Sequence, residues 1–476
     1  MWQATLGDVI ASMKNGIYKP ASEYAEDGIP CLRMYNIDAG QLVWRDIKRM
    51  RVSVDELAEF GLREGDLLVN RVNSRELVGK STCIPASIEP SVFESKNIRV
   101  RLDDDKALPK FINYQLLARG GRHFANNAQQ VVGMASISQK QLASFPIVLT
   151  NLDEQHRIVA EIEKQFSRLD QAVASLQRVK AQLKRYKASV LKAAVEGRLV
   201  ETEAERARRE GRGLETGTEL AAQGSANAAR GRKPGAALPY ETGEQLLKRI
   251  LETRRSQWQG KGKYKEPAAP ETAGLPELPE GWCWSSTDQL AEVGTGATPN
   301  RSHAAFFDGG DIPWVTSAVV NAPFVDKASE LVTRAALLQT NLTEYPPGTL
   351  LVAMYGEGKT RGKCSELRIT AATNQALAAV QADPSVRSYL KIFLEHNYEE
   401  TRKVASGGVQ PNLNLSLVRA IRVPLPPLRE QHRIVAEVDR RLSIVREVEA
   451  EVDANLKRAQ TLRQAVLARA FTGTSS

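Results

Sequence analysis

No run of apolar residues in this chain approaches the roughly 18 that would span a bilayer, so membrane insertion is not expected. The opening Met1-Trp2-Gln3-Ala4 lacks the charged and apolar regions of a secretory signal. Four cysteines (Cys31, Cys83, Cys283, Cys364) are scattered without Cys-x-x-Cys pairing, which argues against both a zinc site and a disulfide framework. Five histidines offer neither a His-Glu-x-x-His helix nor a His–Cys spacing. A cytoplasmic location is the expectation left standing. What remains is 476 residues of ordinary globular composition, 42% hydrophobic and 25% charged, enough for two to three domains. The net charge of +9 suits a polyanion partner, although a solvated basic surface would look the same.

The chain's most informative feature is a duplication. Glu-Gln-His-Arg-Ile-Val-Ala-Glu occurs at Glu154 to Glu161 and again at Glu430 to Glu437, and the offset of 276 persists through the following forty or so residues. Each copy opens a long helix and follows a globular segment of about 150 residues. In the first, Ile158, Ile162, Phe166, Leu169, Val173, Leu176, Leu183 and Val190 fall at spacings near three and four, with Lys180 and Lys187 interrupting the seam. The second repeats the stripe with Ile434, Val438, Leu442, Val445, Val452, Ala459 and Val466. Gly197 and Gly473 stand where left-handed C-terminal caps are expected. Helices of about 45 residues, each with one apolar stripe, must bury it against a partner, and each copy is the obvious partner for the other. An intramolecular coiled coil acting as a rigid spacer is expected, with the seam lysines snorkelling or pairing across it.

The globular halves match more weakly. Gly28-Ile29-Pro30 parallels Asp311-Ile312-Pro313, Gly65 to Val69 parallels Gly348 to Val352, and Gly79-Lys80 parallels Gly362-Lys363. Short β-rich stretches (Leu67 to Val69, Asn97 to Leu102, Leu350 to Ala353, Ile421 to Val423) lie among Gly, Asn and Pro turns. Each half reads as a small mixed α/β domain with variable polar loops. Between them, Glu201 to Pro239 has almost no large apolar residue and reads as a flexible linker. A short amphipathic helix over about 244–258 follows, carrying Leu247, Ile250, Leu251 and Trp258.

The second half then supplies a specific pattern. Leu275-Pro276-Glu277-Leu278-Pro279-Glu280-Gly281-Trp282 precedes Gly296-Ala297-Thr298-Pro299 and Gly310-Asp311-Ile312-Pro313-Trp314-Val315. Leu350 to Gly356, Ala372-Thr373-Asn374-Gln375 and Val423 to Gln431 continue it. Together these resemble the specificity subunit of Type I restriction–modification systems. In the first half Leu149-Thr150-Asn151 replaces the family's proline pair, and no Gly-x-Thr-Pro loop is recognisable near Gly16. The resemblance implies a mixed α/β (α+β) architecture: target-recognition domain 1–150, central conserved helix 151–198, linker 199–275, target-recognition domain 276–426 and C-terminal conserved helix 427–476. It also implies two long antiparallel helices relating two similar domains by a pseudo-two-fold. Each domain would read one half of a split, asymmetric sequence in double-stranded DNA. The helices would set the gap and dock two methyltransferase subunits, which recruit restriction subunits. S-adenosylmethionine and ATP would belong to those partners, with no cofactor or metal in this chain.

Catalytic motifs fail on inspection. Ala353 to Thr360 ends Gly-Lys-Thr after a strand, but a phosphate loop needs glycine where Ala353 stands, and the turn-like Arg361-Gly362-Lys363 follows instead of a helix. Pro299 occupies the third glycine's place of a dinucleotide fingerprint. His156 and His432 recur in step with the helix, which favours a structural role in its first turn. The chain is expected not to be an enzyme. For base readout, loop side chains able to make bidentate contacts are the candidates: Asn15, Tyr18, Lys19, Arg71, Asn73 and Arg75 in the first half, and Thr298, Asn300, Arg301, Tyr355, Lys359 and Arg361 in the second. The rival from another class is a two-domain coiled-coil scaffold that binds proteins and reads no DNA.

Overall fold

The structure, a computed structural model, describes residues 1–131, 133–210, 240–260, 262–328, 330–355, 360–398 and 413–472. Two compact units divide the chain: Met1–Lys180 with Ala450–Ser476, and Ala181–Glu449. Two long helices, α1 (Leu152–Val195) and a C-terminal helix (Leu428–Thr472), run through both units, each without a break.

The first unit is built on an antiparallel sheet of β1 (Ile10–Asn15), β2 (Leu67–Asn70), β3 (Ser81–Cys83) and β4 (Asn97–Leu102), in the order β1-β4-β2-β3. The apolar run Leu67-Leu68-Val69 is buried throughout, as a central strand covered on both faces should be. A smaller sheet pairs Tyr24–Leu32 in parallel with Val92–Phe93 and antiparallel with Lys48–Met50. A two-stranded ribbon joins Trp2–Thr5 to Pro146–Leu149.

The second unit repeats this plan. Its main sheet contains β5 (Ala291–Thr295), β6 (Phe324–Val325), β7 (Leu350–Ala353), β8 (Cys364–Leu367) and β9 (Leu377–Ala382), ordered β5-β9-β7-β8-β6. Ile312–Val315 pairs in parallel with Ala371–Thr373 and antiparallel with Glu330–Val332. Cys283–Ser286 pairs with Arg422–Leu425 in the counterpart ribbon. That ribbon starts one residue later than the sequence suggests and takes in Pro424, which a two-stranded edge tolerates because a missing N–H costs no central ladder bond.

Within the first unit the start of α1 packs against the end of the C-terminal helix. Ile158, Ile162 and Phe166 share a buried core with Leu467 and Phe471, and Phe111 meets Phe471 edge-on at 5.4 Å. Arg463 lies 4.1 Å over the Phe166 ring and pairs with Asp170 at 2.7 Å. Lys180 reaches Asp453 at 2.6 Å, the cross-seam pairing expected of a seam lysine. Within the second unit Val190, Leu191, Ala194 and Val195 join Ile434, Val438 and Leu442 in one core. In both units late residues of one helix meet early residues of the other, so the pair is antiparallel. Val445 and Val452 are buried as well, while Leu169, Val173, Leu176, Leu183, Ala459 and Val466 are only partly covered, as fits a two-helix seam. Gly197 adopts φ +67°, and the Arg198 N–H bonds the Ala193 carbonyl at 2.9 Å, closing α1 with the expected left-handed cap. Gly473 lies outside the described residues.

The octapeptide tethers the helices differently from expectation. His156 and His432 are exposed, and the polar residues buried in both copies are Gln155 and Gln431. Gln155 Nε2 donates to the carbonyls of Lys106 (3.0 Å) and Thr150 (2.8 Å), and its Oε1 accepts the Leu108 N–H (2.9 Å). An amide can satisfy donors and acceptors at once, which suits it to tie a helix start to neighbouring loops.

Part of the segment read as linker is folded. Helix α2 (Glu203–Arg209) carries a Thr202/Glu205 capping box and buries Ala204 and Ala207 against Tyr240. Helix α3 (Gly243–Ser256) agrees with the expected helix, but Leu246 and Ile250 face the core, whereas Leu251 is half-buried and Trp258 is 47% exposed beside Tyr264. Residues 211–239 lie outside the described residues. No helix among the described residues is long and apolar enough to cross a membrane.

Candidate nucleic-acid interface

The register of each main sheet brings one set of loops together. In the first unit Asn15 at the end of β1 opposes Ile98, and Asn70 at the end of β2 opposes Asn97, so both strands exit beside the start of β4. Arg71 follows directly, its N–H bonded to the Lys96 carbonyl (2.8 Å) and its carbonyl to the Ile137 N–H (2.9 Å). Gln139 Nε2 donates to Asn15 Oδ1 at 3.0 Å. Asn15, Arg71, Lys96 and Gln139 therefore cluster at one sheet end. In the second unit Thr295 opposes Ala378 and Ala353 opposes Leu377, so the corresponding end collects the Thr298 loop, Tyr355 and Gln375. The Thr298 hydroxyl donates to Gln375 Oε1.

These pairings also align the two loops. Gly16 follows β1 as Gly296 follows β5, and a Cβ at either would strike a backbone carbonyl, of Glu94 at 2.2 Å or Thr373 at 1.6 Å. The glycine of the Gly-x-Thr-Pro loop thus has its counterpart at Gly16, with Tyr18 where the second unit has Thr298. The surrounding residues had concealed it.

Several candidates are committed elsewhere. Asn73 is buried: its Nδ2 donates to Asn70 Oδ1 (2.8 Å) and its Oδ1 accepts the Ser74 N–H (2.9 Å), so it braces the scaffold and is not a loop reader. Asn70 continues this network to Asn97 Oδ1 at 3.1 Å, and Asn97 to the Leu32 carbonyl at 3.2 Å. Lys19 pairs with Glu56 at 2.8 Å, and that bond, with the Ser53 N–H behind it, holds the Glu56 carboxyl below its usual range. Arg75 Nε donates to the Ala125 carbonyl at 3.0 Å. Arg301 is held by Glu330 in a fork of 2.9 and 3.0 Å, with its guanidinium 5.5 Å from the Trp314 ring centre and 5.7 Å from that of Phe307. Asn300 closes its own turn through the Ser302 N–H at 3.0 Å.

Tyr18 (82% exposed) and Tyr355 (40%) stand free for stacking. Arg71 and Arg361 are half-buried, each with a buried Nε that has no partner among the described residues. Lys359 lies outside the described residues. Gln139 is marked by nothing local, and Gln375, although part of the Ala372–Gln375 string, is not singled out there as a base contact; the fold brings them to Asn15 and Thr298. Among the described residues, no group of three or more His, Cys, Asp or Glu is placed to hold a metal ion.

A duplicated α+β module, each copy leading into a long helix that pairs antiparallel with its repeat, is the class of protein this fold defines. The family described as Type I restriction modification DNA specificity domain matches residues 279–454. Among curated proteins the chain is 29% identical to the Escherichia coli K12 Type I restriction enzyme EcoKI specificity subunit over 194 residues, 40% of this chain and 41% of that one. It is 26% identical to the Salmonella potsdam StySPI specificity subunit over 42% of this chain and 43% of that one. The chain thus matches about two fifths of the length of these two relatives. With the Escherichia coli EcoBI specificity subunit the identity is 22%, over 99% of this chain and 86% of the relative. A solved structure titled as the structural basis of complex assembly and conformational transition of the type I R-M system superposes with a TM-score of 0.60 at 17% identity, covering 99% of this chain and 97% of that one; it shares the fold. The resemblance read from the sequence holds: the chain is similar to the specificity subunits of Type I restriction–modification systems, with the DNA specificity domain matched over residues 279–454.

Proposed function

We propose that this chain is a non-catalytic, sequence-specific DNA-binding subunit that reads a two-part asymmetric site in double-stranded DNA and directs methyltransferase and restriction subunits to it. The observation that carries the reading is the repeated sheet end: equivalent strands in each unit deliver exposed donor and acceptor side chains to one loop cluster. The two clusters differ in composition, so the two half-sites differ. Asn15, Tyr18 and Arg71 are the base-contact candidates retained in the first unit, and Thr298, Tyr355 and Arg361 in the second. The net charge of +9 supplies phosphate contacts, which carry affinity and no sequence information. S-adenosylmethionine and ATP belong to the partner subunits. Ile444 (50% exposed), Val448 (36%) and Leu462 (51%) leave apolar surface uncovered on the C-terminal helix and support a protein-binding role for it.

Methylome sequencing of the host with and without this gene tests the proposal. A bipartite methylated motif should vanish with the gene, and an unchanged methylome would overturn the reading. Binding that scarcely weakens as salt is raised would point to the protein scaffold instead, because phosphate neutralisation imposes a steep slope. The unbroken course of both helices through both units supports a ruler role. Removing four residues, about one turn, from α1 should shift the preferred gap between half-sites.

A further inference from the structure

Resting on that reading, we propose that Gln139 and Gln375 are specificity-determining residues, each reading one adenine in its own half-site, with Asn15 and Thr298 as the side chains that orient them. A primary amide offers two N–H donors and two acceptor lone pairs. Gln139 spends one N–H on Asn15 Oδ1, and Gln375 spends one lone pair on the Thr298 hydroxyl. Each is left with at least one donor and one acceptor on the same planar group. That pair is the complement of adenine's major-groove edge, where N7 accepts and the N6 amino group donates. Guanine offers two acceptors there, cytosine a donor alone, and thymine an acceptor beside a methyl group, so none matches both ends of the amide. The Asn15 contact favours one orientation of the Gln139 amide, whereas the Thr298 hydroxyl, able to donate or accept, allows either for Gln375. Turning the Gln139 amide over would set its oxygen against Asn15 Oδ1, two acceptors facing each other.

Position within the fold supports the assignment. Both glutamines stand at the equivalent end of the equivalent sheet, yet they come from different elements. Gln139 is the first residue of the helix Gln139–Ala143, whose counterpart Leu415–Arg419 begins with an apolar residue. Gln375 lies in the loop before β9, and the strand register places Ser95 at the matching point before β4. The same amide has thus been placed twice, from two different loops, on one duplicated scaffold. A structural polar contact inherited with the scaffold would recur at matching positions. Two half-sites each with an adenine, set at different places within the half, would demand this arrangement.

The test is selection of bound duplexes from a random-sequence pool by the full-length chain and its single variants. Wild type should enrich a bipartite motif with an adenine·thymine pair in each half. Gln139→Ala should relax one such position in one half-site and Gln375→Ala one in the other, by roughly tenfold to a hundredfold in base preference, leaving the remaining positions intact. Gln375→Glu replaces the donor by a second acceptor and should move the preference at that position towards cytosine, whose amino group it can accept. A merely structural role would lower affinity for all sequences alike and switch none. If wild type enriches a motif and neither alanine variant changes any single position, the glutamine assignment is wrong while DNA reading stands. If wild type enriches no motif, both fall.

Discussion

The two copies of the octapeptide carry glutamates of identical local sequence and opposite environment, which makes Glu430 a sharp test of the physical account. Glu154 is bonded by Arg157 at 2.5 and 2.7 Å near the surface, and those bonds hold its carboxyl below the usual range. Glu430 is fully buried, and that burial pushes its pKa up to about 7 from 4.5, outweighing the stabilising N–H of Glu203 (2.9 Å), the indole N–H of Trp282 (3.1 Å) and the field of Arg433. Glu203, itself buried, adds repulsion while pairing with Arg433 at 2.6 Å. Helix α2, which carries Glu203, covers the glutamate; no such helix lies over Glu154 among the described residues.

A carboxyl whose folded pKa is raised keeps its proton after the unfolded chain has lost it, so the native state binds more protons and stability falls as pH rises. Below about pH 4.5 the group costs nothing. Between 4.5 and 7 the loss accumulates, and above 7 it is constant at about 3 kcal/mol, from about 2.5 pH units at 1.36 kcal/mol each. Glu430→Gln removes that slope. It also turns an amide N–H towards the Glu203 N–H, at a cost of about 1 kcal/mol. Urea unfolding of the full chain at a series of pH values should therefore give curves that cross near pH 5, with the variant weaker by about 1 kcal/mol at pH 4 and stronger by about 2 kcal/mol at pH 8. The Glu154→Gln control should show no crossing. Parallel curves for wild type and Glu430→Gln would refute the burial argument.

Other expectations can be checked by the same unfolding experiment. Ile434→Ala, in the buried core of the second unit, should cost about 2–5 kcal/mol, while Ile444→Ala, half exposed on the same helix, should cost under about 1 kcal/mol. Asp66 is buried and accepts Arg101 Nε at 2.8 Å together with the Arg63 N–H at 3.0 Å, so Asp66→Ala should cost about 3 kcal/mol by stranding both donors. The exposed Lys180–Asp453 pair should be worth under about 1 kcal/mol in a double-mutant cycle. Gly16→Ala and Gly296→Ala should each cost on the order of 3 kcal/mol, since the added carbon meets a backbone carbonyl and the strand must move.

The helices were legible because their information is periodic and local: a three-four stripe over forty residues states both the element and its need for a partner. The strands Leu67–Asn70 and Leu350–Ala353 were legible for the related reason that a short apolar run between turns has few other uses. Helix α2 was not, because Glu-Ala-Glu-Arg-Ala-Arg-Arg offers only alanines to a core and the composition mimics a linker. Its one readable signal was the Thr-x-x-Glu capping box at Thr202 to Glu205. Loop side chains were the least legible. Asn73 and Asn15 look alike in sequence, and only the fold turns one inward to Asn70 and the other towards Gln139.

Gly16 and Gly296 show what duplication preserves. The loop around Gly296 keeps the Gly-x-Thr-Pro pattern and the loop around Gly16 does not, yet both glycines fill one position, because a backbone carbonyl from the second sheet approaches there in each unit. Sterics at the base of the loop tolerate a single residue type, whereas its tip is free to change so long as the ends still meet the strands. Tyr18 can then stand where the second unit has Thr298, and a glutamine can enter from one flank in the first unit and from another in the second. Divergence of the tips over an unchanging base lets one module present two different loop surfaces without its core being rebuilt.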